Sequence, residues 1–218
     1  MDFTLQSSIA YFNDTFVPFN EANVSIASSP VLYGLSVYTV CNANWNDKQQ
    51  KLYVFRLKEH FARLRNSAKI LDFNGFLDDW TYERFEHTIL RLLHKNDIKQ
   101  DVLIRATVYV DEIMAGTRMH DLKNSLSIFV YPMKEIYKPS GINACVSSWQ
   151  RTADNAIPSR AKATGSYVNA SLMKNEALLN GYDEAIALDE HGHLSEGTVA
   201  NVFLVKKDRK STRLNSSH

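Results

Sequence analysis

Lys162 stands in Ala161-Lys-Ala-Thr-Gly-Ser166, one lysine among small residues in a loop that leads into a helical pattern. An ammonium hemmed in by small groups and a packed helix gives up hydration, which favours the neutral amine that a Schiff base needs. By composition alone, a lysine in a polar loop is more often a solvated surface residue. The second chemical segment is Leu188-Asp-Glu-His-Gly-His-Leu-Ser-Glu196-Gly-Thr198 followed by an apolar run. Glu196, between Ser195 and Gly197 and ahead of that run, can point inward, and an inward carboxylate needs a protonated partner such as a pyridinium nitrogen. An exposed hairpin carboxylate is the plain alternative. His191 and His193 share one short turn without a third ligand, so no metal site is expected. The third segment, Phe55-Arg-Leu-Lys-Glu-His60-Phe-Ala-Arg63-Leu-Arg-Asn-Ser67, sets His60, Arg63 and Ser67 at i, i+3 and i+7, read as one helical face opposite the apolar stripe. An arginine there can fork onto a phosphate, or the face can be an ordinary solvated one.

These residues depend on elements that the pattern outlines. Two short strands flank an Asn13-Asp14 turn within residues 8–17, and a further strand covers Val37 to Val40. Lys51-Leu-Tyr-Val-Phe55 reads as a strand feeding a helix with Leu57, Phe61, Leu64 and Ala68 on one stripe. Thr81 is the expected N-cap of a second helix running to His94. Val102–Val110 and Leu126–Tyr131 read as strands joined by a polar connection. The first domain is therefore mixed α/β, an α+β arrangement with a largely antiparallel sheet.

Lys138-Pro-Ser-Gly141 interrupts both periodicities and is the expected boundary, giving domains at 1–138 and 139–210. The second begins with a strand at 142–148, passes through a polar loop at 152–165, and enters a helix from Ser166 that stops at Asn180-Gly181. Strands at Glu184–Asp189 and Leu204-Val205 then bracket the His191-Gly192-His193 turn. From Lys206 onward nothing carries a hydrophobic period or promises to pair with the preceding strand, so 211–218 is read as a non-native tail.

Composition narrows the function classes. With 44% hydrophobic and 22% charged residues among 218, the chain is of ordinary globular type, and 25 basic against 24 acidic residues leave a net charge of +1. That balance argues against a nucleic-acid partner or an electrostatic membrane anchor. No stretch is long and apolar enough to span a bilayer, and a cytoplasmic location is the default expectation. Cys41 and Cys145 cannot form a disulfide framework and are read as reduced, buried, small apolar residues.

Taken in order, Tyr33-Gly-Leu-Ser-Val-Tyr38, His60-Phe-Ala-Arg63-Leu with Ser67-Ala68, Ala161-Lys162-Ala163, Tyr167, Asn180-Gly-Tyr-Asp-Glu184, Ala187-Leu-Asp189 and Leu194-Ser-Glu196-Gly197 with Asn201 and Phe203 resemble the class IV (fold-type IV) aminotransferases. The similarity extends over residues 8–206. Val146-Ser-Ser-Trp-Gln-Arg151 and Ala156-Ile-Pro158 resemble the branched-chain subgroup in particular.

The resemblance implies a two-domain D-amino-acid-aminotransferase-like fold that binds pyridoxal 5′-phosphate, with the second domain incomplete. It implies that Lys162 carries the cofactor covalently and moves the substrate proton, that Arg63 grips the phosphate, that Tyr167 bonds the phenolic oxygen, and that Glu196 pairs with the pyridine nitrogen. Arg105 matches the arginine that receives the side-chain carboxylate of glutamate. Tyr33 and Tyr38 would line the substrate pocket, Tyr33 across a dimer interface. The implied reaction is transamination between an L-amino acid, branched-chain in this subgroup, and 2-oxoglutarate in a homodimer or higher homo-oligomer. A D-amino acid aminotransferase, an aminodeoxychorismate lyase-like enzyme and a non-catalytic fragment are the rival readings. The sequence departs from the subgroup at Thr39-Val-Cys41-Asn42, where a Glu-Gly pair and then an arginine are usual, at Leu103 in place of a tyrosine, and at Met133 in place of a tryptophan. The family continues past the Phe203 strand into a segment that completes the phosphate cup and binds the substrate carboxylate, so this polypeptide alone is expected to be weakly stable and inactive.

Overall fold

A computed structural model describes residues 3–113, 116–206 and 209–213. Two compact units emerge. One comprises residues up to Lys134 together with Ala161–Gly165, and the other comprises Glu135–Arg160 and the chain from Ser166 onward.

In the first unit the chain opens with β1 (Ile9–Phe12) and β2 (Thr15–Pro18), joined at Asn13 and Asp14, whose φ values of 45° and 62° are those of a tight hairpin turn. A short helix α1 (Ser29–Tyr33) leads through left-handed Gly34 into β3 (Ser36–Asn46), followed by β4 (Lys51–Val54). Helices α2 (Leu57–Ile70), α3 (Asn74–Asp79) and α4 (Tyr82–Lys95) come next, then β5 (Val102–Val110) and β6 (Asn124–Pro132). The six strands form one sheet in the order β2-β1-β6-β5-β3-β4, and every pairing is antiparallel. β3 is far longer than the four residues its apolar run suggests, because β5 and β4 pair with its Asn-rich half and supply partners that intrinsic propensity does not.

The register assigns side chains to faces. Val37, Thr39, Cys41 and Ala43 of β3 stand opposite Val108, Ala106, Ile104 and Val102 of β5. With Leu126, Ile128 and Val130 of β6, the apolar ones among them form the face on which the helices pack. Phe61, Leu64 and Ala68 of α2 and Phe85, Ile89 and Leu92 of α4 close that core, each large side chain contributing about 2 kcal/mol on burial. Tyr38, Leu103, Arg105 and Tyr131 alternate onto the opposite face.

α4 starts where Thr81 accepts the backbone N–H of Arg84, 3.2 Å away. At its other end Asn96 both accepts from the N–H of Ile9 and donates to its carbonyl, tying the helix terminus to β1. Thr81→Ala leaves a first-turn donor without its cap and is expected to lower stability by about 1 kcal/mol, readable as a reduced midpoint in urea unfolding with an unchanged slope.

The second unit holds β7 (Ala144–Val146), α5 (Tyr167–Leu179), β8 (Glu184–Leu188) and β9 (Leu194–Gly197). β7 and β8 are parallel, β9 is antiparallel to β8, and α5 connects the parallel pair, as a parallel pairing requires. α5 ends at Asn180 with Gly181 at φ 78°, the left-handed stop expected there. Met173, Ala177, Ala185 and Ala187 form its small core.

Three expectations need correction. The units part at Lys134 rather than at residue 138, and Ala161–Gly165 returns to the first unit because its backbone pairs with β3. Cys145 is only half-buried, whereas Cys41 is buried at 2% exposure; burial pushes the Cys41 thiol up to about 12 against the opposing pull of Arg63. Beyond β10 (Phe203–Lys206), β11 (Arg209–Arg213) pairs antiparallel with it. A ladder needs only backbone donors and acceptors, so the lack of a hydrophobic period did not forbid pairing. The remainder of the 211–218 stretch lies outside the described residues. Among the described residues no helix is long and apolar enough to cross a membrane.

Candidate functional site

Lys162 owes its place to backbone bonds at both of its ends. Its N–H donates to Ser67 Oγ of α2 at 3.0 Å, and its carbonyl accepts the N–H of Tyr38 at 3.0 Å. Val37 bridges Ala163 in antiparallel fashion, and the Ser36 hydroxyl donates to Thr164 Oγ1 at 2.8 Å. The loop thus extends the sheet beside the first half of β3, which β4 leaves uncovered. From this edge the Lys162 Nζ lies 5.2 Å from the centre of the Tyr38 ring.

Gly34 makes this approach possible. It sits at φ 68°, and a side chain there would place Cβ 2.8 Å from Gly165 Cα. Both the left-handed backbone and the backbone contact exclude larger residues. Gly34→Ala is expected to cost about 2 kcal/mol and to shift Lys162, seen as a lowered thermal midpoint together with slower covalent labelling of Lys162.

On the helix-facing side stands Arg63. Its Nη2 donates to Thr39 Oγ1 at 3.0 Å and lies 3.2 Å from His60 Nδ1, while Thr39 Oγ1 is 3.0 Å from the same ring nitrogen. Burial first, and the neighbouring Arg63 charge second, hold His60 below the usual imidazole range. Arg63 Nε is buried and without a hydrogen-bond partner. His60, Arg63 and Ser67 are therefore no solvated face. On a 3.6-residue helix they lie only about a quarter-turn from the apolar stripe, not opposite it, and Ser67 is fully buried.

On the opposite face the Arg105 guanidinium stacks 3.7 Å above the Tyr38 ring. Such contact orients an arginine while leaving its edge to fork onto a carboxylate. Tyr131 lies close enough for Arg105 to oppose the upward push of burial on its hydroxyl. The register sets Asn42, Leu103 and Tyr131 side by side along the same face. Tyr33, at the end of α1, is 42% exposed.

Tyr167 and Glu196 belong to the second unit. Tyr167 is the first residue of α5 and is half-buried. Glu196 is on β9, its carboxylate ion-paired with Arg151, with the two side chains 23% and 18% exposed. Glu196 is partly buried, and its charged partner within the chain is Arg151. His191 and His193 are exposed beside Asp189, whose carboxylate accepts both their backbone N–H groups. Among the described residues no cluster of three or more His, Cys, Asp or Glu is arranged to hold a metal.

Sequence reasoning gave no role to Thr39, His60, Ser67 or Arg151. The i, i+3 spacing of His60 and Arg63 was visible. Thr39 was not, since it joins them only through the register of β3 against β5.

The first unit carries a sheet-edge lysine and an arginine with a buried unpartnered donor, and the comparison gives the class: the chain belongs to the Amino-transferase class IV family, which matches residues 36–215. Within it, the chain is similar to branched-chain enzymes. It is 36% identical over 211 residues to the probable branched-chain-amino-acid aminotransferase of Aquifex aeolicus, covering 96% of this chain and 67% of that one. The crystal structure of the branched-chain aminotransferase of Thermoproteus uzoniensis with norvaline superposes with a TM-score of 0.85 at 33% identity, covering 92% of this chain and 66% of that one. That of the T.th. branched-chain amino acid aminotransferase complexed with N-(5′-phosphopyridoxyl)-L-glutamate gives 0.85 at 30%, covering 98% and 68%. The chain spans about two thirds of the length of these relatives.

Proposed function

We propose that this protein catalyses pyridoxal-phosphate-dependent transamination between a branched-chain L-amino acid and 2-oxoglutarate, with Lys162 as the covalent anchor and proton carrier. The observation that carries this reading is the arrangement around Lys162: a lysine held through its backbone by Ser67 and Tyr38, in the same unit as an arginine whose buried Nε has no partner. Buried donors are nearly always satisfied, and a cofactor phosphate would satisfy this one, so the residues present fit the group.

When bound, the cofactor supplies an electron sink that allows the α-hydrogen of an amino acid to leave as a proton. The chain's own residues do the rest. Lys162 Nζ would hold the cofactor through its aldehyde carbon, and its amine would carry the proton taken from the substrate α-carbon. Arg63 holds the phosphate by charge and by its Nε edge. Tyr167 donates to the phenolic oxygen, and Glu196 keeps the pyridine nitrogen protonated, its own orientation fixed by Arg151. Arg105, steadied on Tyr38, receives the second carboxylate of the glutamate and 2-oxoglutarate pair. Tyr33 lines the substrate pocket of a neighbouring subunit in a homodimer. Norvaline and the phosphopyridoxyl adduct of L-glutamate, bound by the related enzymes, support an aliphatic substrate and a glutamate co-substrate.

The test is borohydride reduction of the full-length enzyme after cofactor addition, followed by peptide mapping and by assay of L-leucine, D-alanine and aminodeoxychorismate with 2-oxoglutarate. The expected result is a reduced adduct on Lys162 and turnover of L-leucine. An adduct on another lysine removes the anchor assignment, and turnover of only D-alanine or aminodeoxychorismate removes the substrate assignment.

A further inference from the structure

We propose that His60 is a positioning residue for the phosphate-binding arginine: together with the hydroxyl of Thr39 it fixes one corner of the Arg63 guanidinium so that the Nε edge is kept for an anion. The inference rests on reading Arg63 as the phosphate ligand.

The argument starts from donors and acceptors. A guanidinium has five N–H groups and no acceptor. Both neighbours of Arg63 Nη2, Thr39 Oγ1 at 3.0 Å and His60 Nδ1 at 3.2 Å, must therefore accept from it or stand idle. Thr39 Oγ1 lies 3.0 Å from the same Nδ1. One assignment satisfies all three contacts. With the imidazole proton on Nε2, the single lone pair of Nδ1 is shared between Nη2 and the Thr39 hydroxyl, and Thr39 Oγ1 accepts from Nη2 while donating to Nδ1. The ring is then neutral, the state that burial and the Arg63 charge both favour. Each member thus holds the other two.

Local structure builds this triangle without slack. The i, i+3 spacing stacks His60 and Arg63 on neighbouring turns of α2, and Thr39 is delivered to the helix-facing side of β3 by its register opposite Ala106. Thr39 is buried and His60 half-buried, so water does not replace either acceptor freely. The result is a guanidinium tethered at one terminal nitrogen while its buried Nε remains unpartnered. Without the tether, the arginine can rotate its Nε edge onto backbone carbonyls or swing toward water, and binding must then bear the cost of recovering the productive rotamer.

The experiment compares pyridoxal 5′-phosphate with pyridoxal, which lacks the phosphate, by absorbance titration of the full-length enzyme and of its variants after cofactor removal. Arg63→Ala is expected to abolish most of the preference for the phosphorylated form. His60→Leu, which removes the acceptor at similar size, is expected to weaken pyridoxal 5′-phosphate binding about tenfold, in line with the loss of an orienting partner, and to leave pyridoxal binding unchanged. His60→Asn, which returns a carbonyl acceptor near the Nδ1 position, is expected to recover most of that loss. Thr39→Val removes the same corner from the strand side and is expected to reproduce the selective loss even where His60→Leu fails to fold. Equal weakening of both ligands in His60→Leu and Thr39→Val, or unchanged binding of both, overturns the positioning role. An Arg63→Ala variant that keeps the full phosphate preference overturns instead the assignment of Arg63 on which the inference stands.

Discussion

Lys162→Ala is expected to lower transamination by the full-length enzyme by about 10⁴-fold or more, with no adduct after borohydride reduction and with a thermal midpoint close to that of the parent. The separation of activity from stability follows from how the residue is held. Its backbone contacts, the N–H to Ser67 Oγ and the carbonyl from Tyr38 N–H, do not depend on the side chain. Alanine already flanks the position on both sides, so the loop tolerates a small residue in the bridge to Val37. The variant loses the Nζ that lies 5.2 Å from the Tyr38 ring. At the edge of the sheet such a partly exposed cation on an aromatic ring contributes well under about 1 kcal/mol to folding. Added methylamine is expected to restore a measurable part of the rate, because a free amine can do for proton transfer what the tethered one does. A variant that keeps activity within tenfold of the parent, or one that unfolds, would show that the lysine belongs to the scaffold and not to the chemistry.

The elements that sequence reasoning located well are those whose local signals agree with their tertiary surroundings. The β1–β2 hairpin turns at Asn13 and Asp14, residues that tolerate positive φ. Thr81 caps α4, and β5 spans Val102–Val110 as its alternation indicates. The misjudged elements are those where packing overrules local preference. Asn42, Asn44 and Asn46 argue against a strand, yet β3 runs through all three because β4 and β5 bind its edges. α3 contains Gly75 and ends in two aspartates, so its pattern is faint, and the burial of Phe76 in the core holds it in place. At the site, the residue types of Lys162, Arg63 and Glu196 were legible, and their immediate partners were not. Ser67, Thr39 and Arg151 each meet their target across a long stretch of chain, 95, 24 and 45 residues respectively, and such meetings are fixed by register and packing, for which no short motif stands.

The largest stability effect is expected at a residue that plays no part in the proposed reaction. Glu184, at the start of β8, is 4% exposed, and its carboxylate accepts from the Tyr137 and Thr198 hydroxyls, from Lys174 Nζ and from the N–H of Ala185. Burial alone would raise its pKa; the hydrogen bonds from Tyr137, Thr198, Ala185 and Lys174 overcome that and hold the carboxyl below its ordinary value. The same contact pushes the Tyr137 hydroxyl upward, burial being the larger cause. Removing the carboxylate takes the acceptor from two hydroxyls and an N–H in a buried setting, and each orphaned donor costs roughly 1 kcal/mol or more. Lys174 is about one third exposed and can turn to solvent, so the loss stays below that of a fully enclosed ion pair. Glu184→Ala is therefore expected to destabilise the second unit by about 3 kcal/mol, measured as a shift in its urea midpoint. Because the folded-state pKa lies below the unfolded value, the stabilisation is complete above about pH 5 and fades as the pH falls through the folded pKa. Glu184→Gln keeps the shape and one acceptor, so it should cost about 1 to 2 kcal/mol at pH 7 and should flatten the decline in stability below about pH 5. A parent protein whose stability between about pH 3 and 6 matches the slope of the Glu184→Gln variant would show that this carboxylate is protonated in the fold, and that its hydroxyl partners accept where they are described as donating.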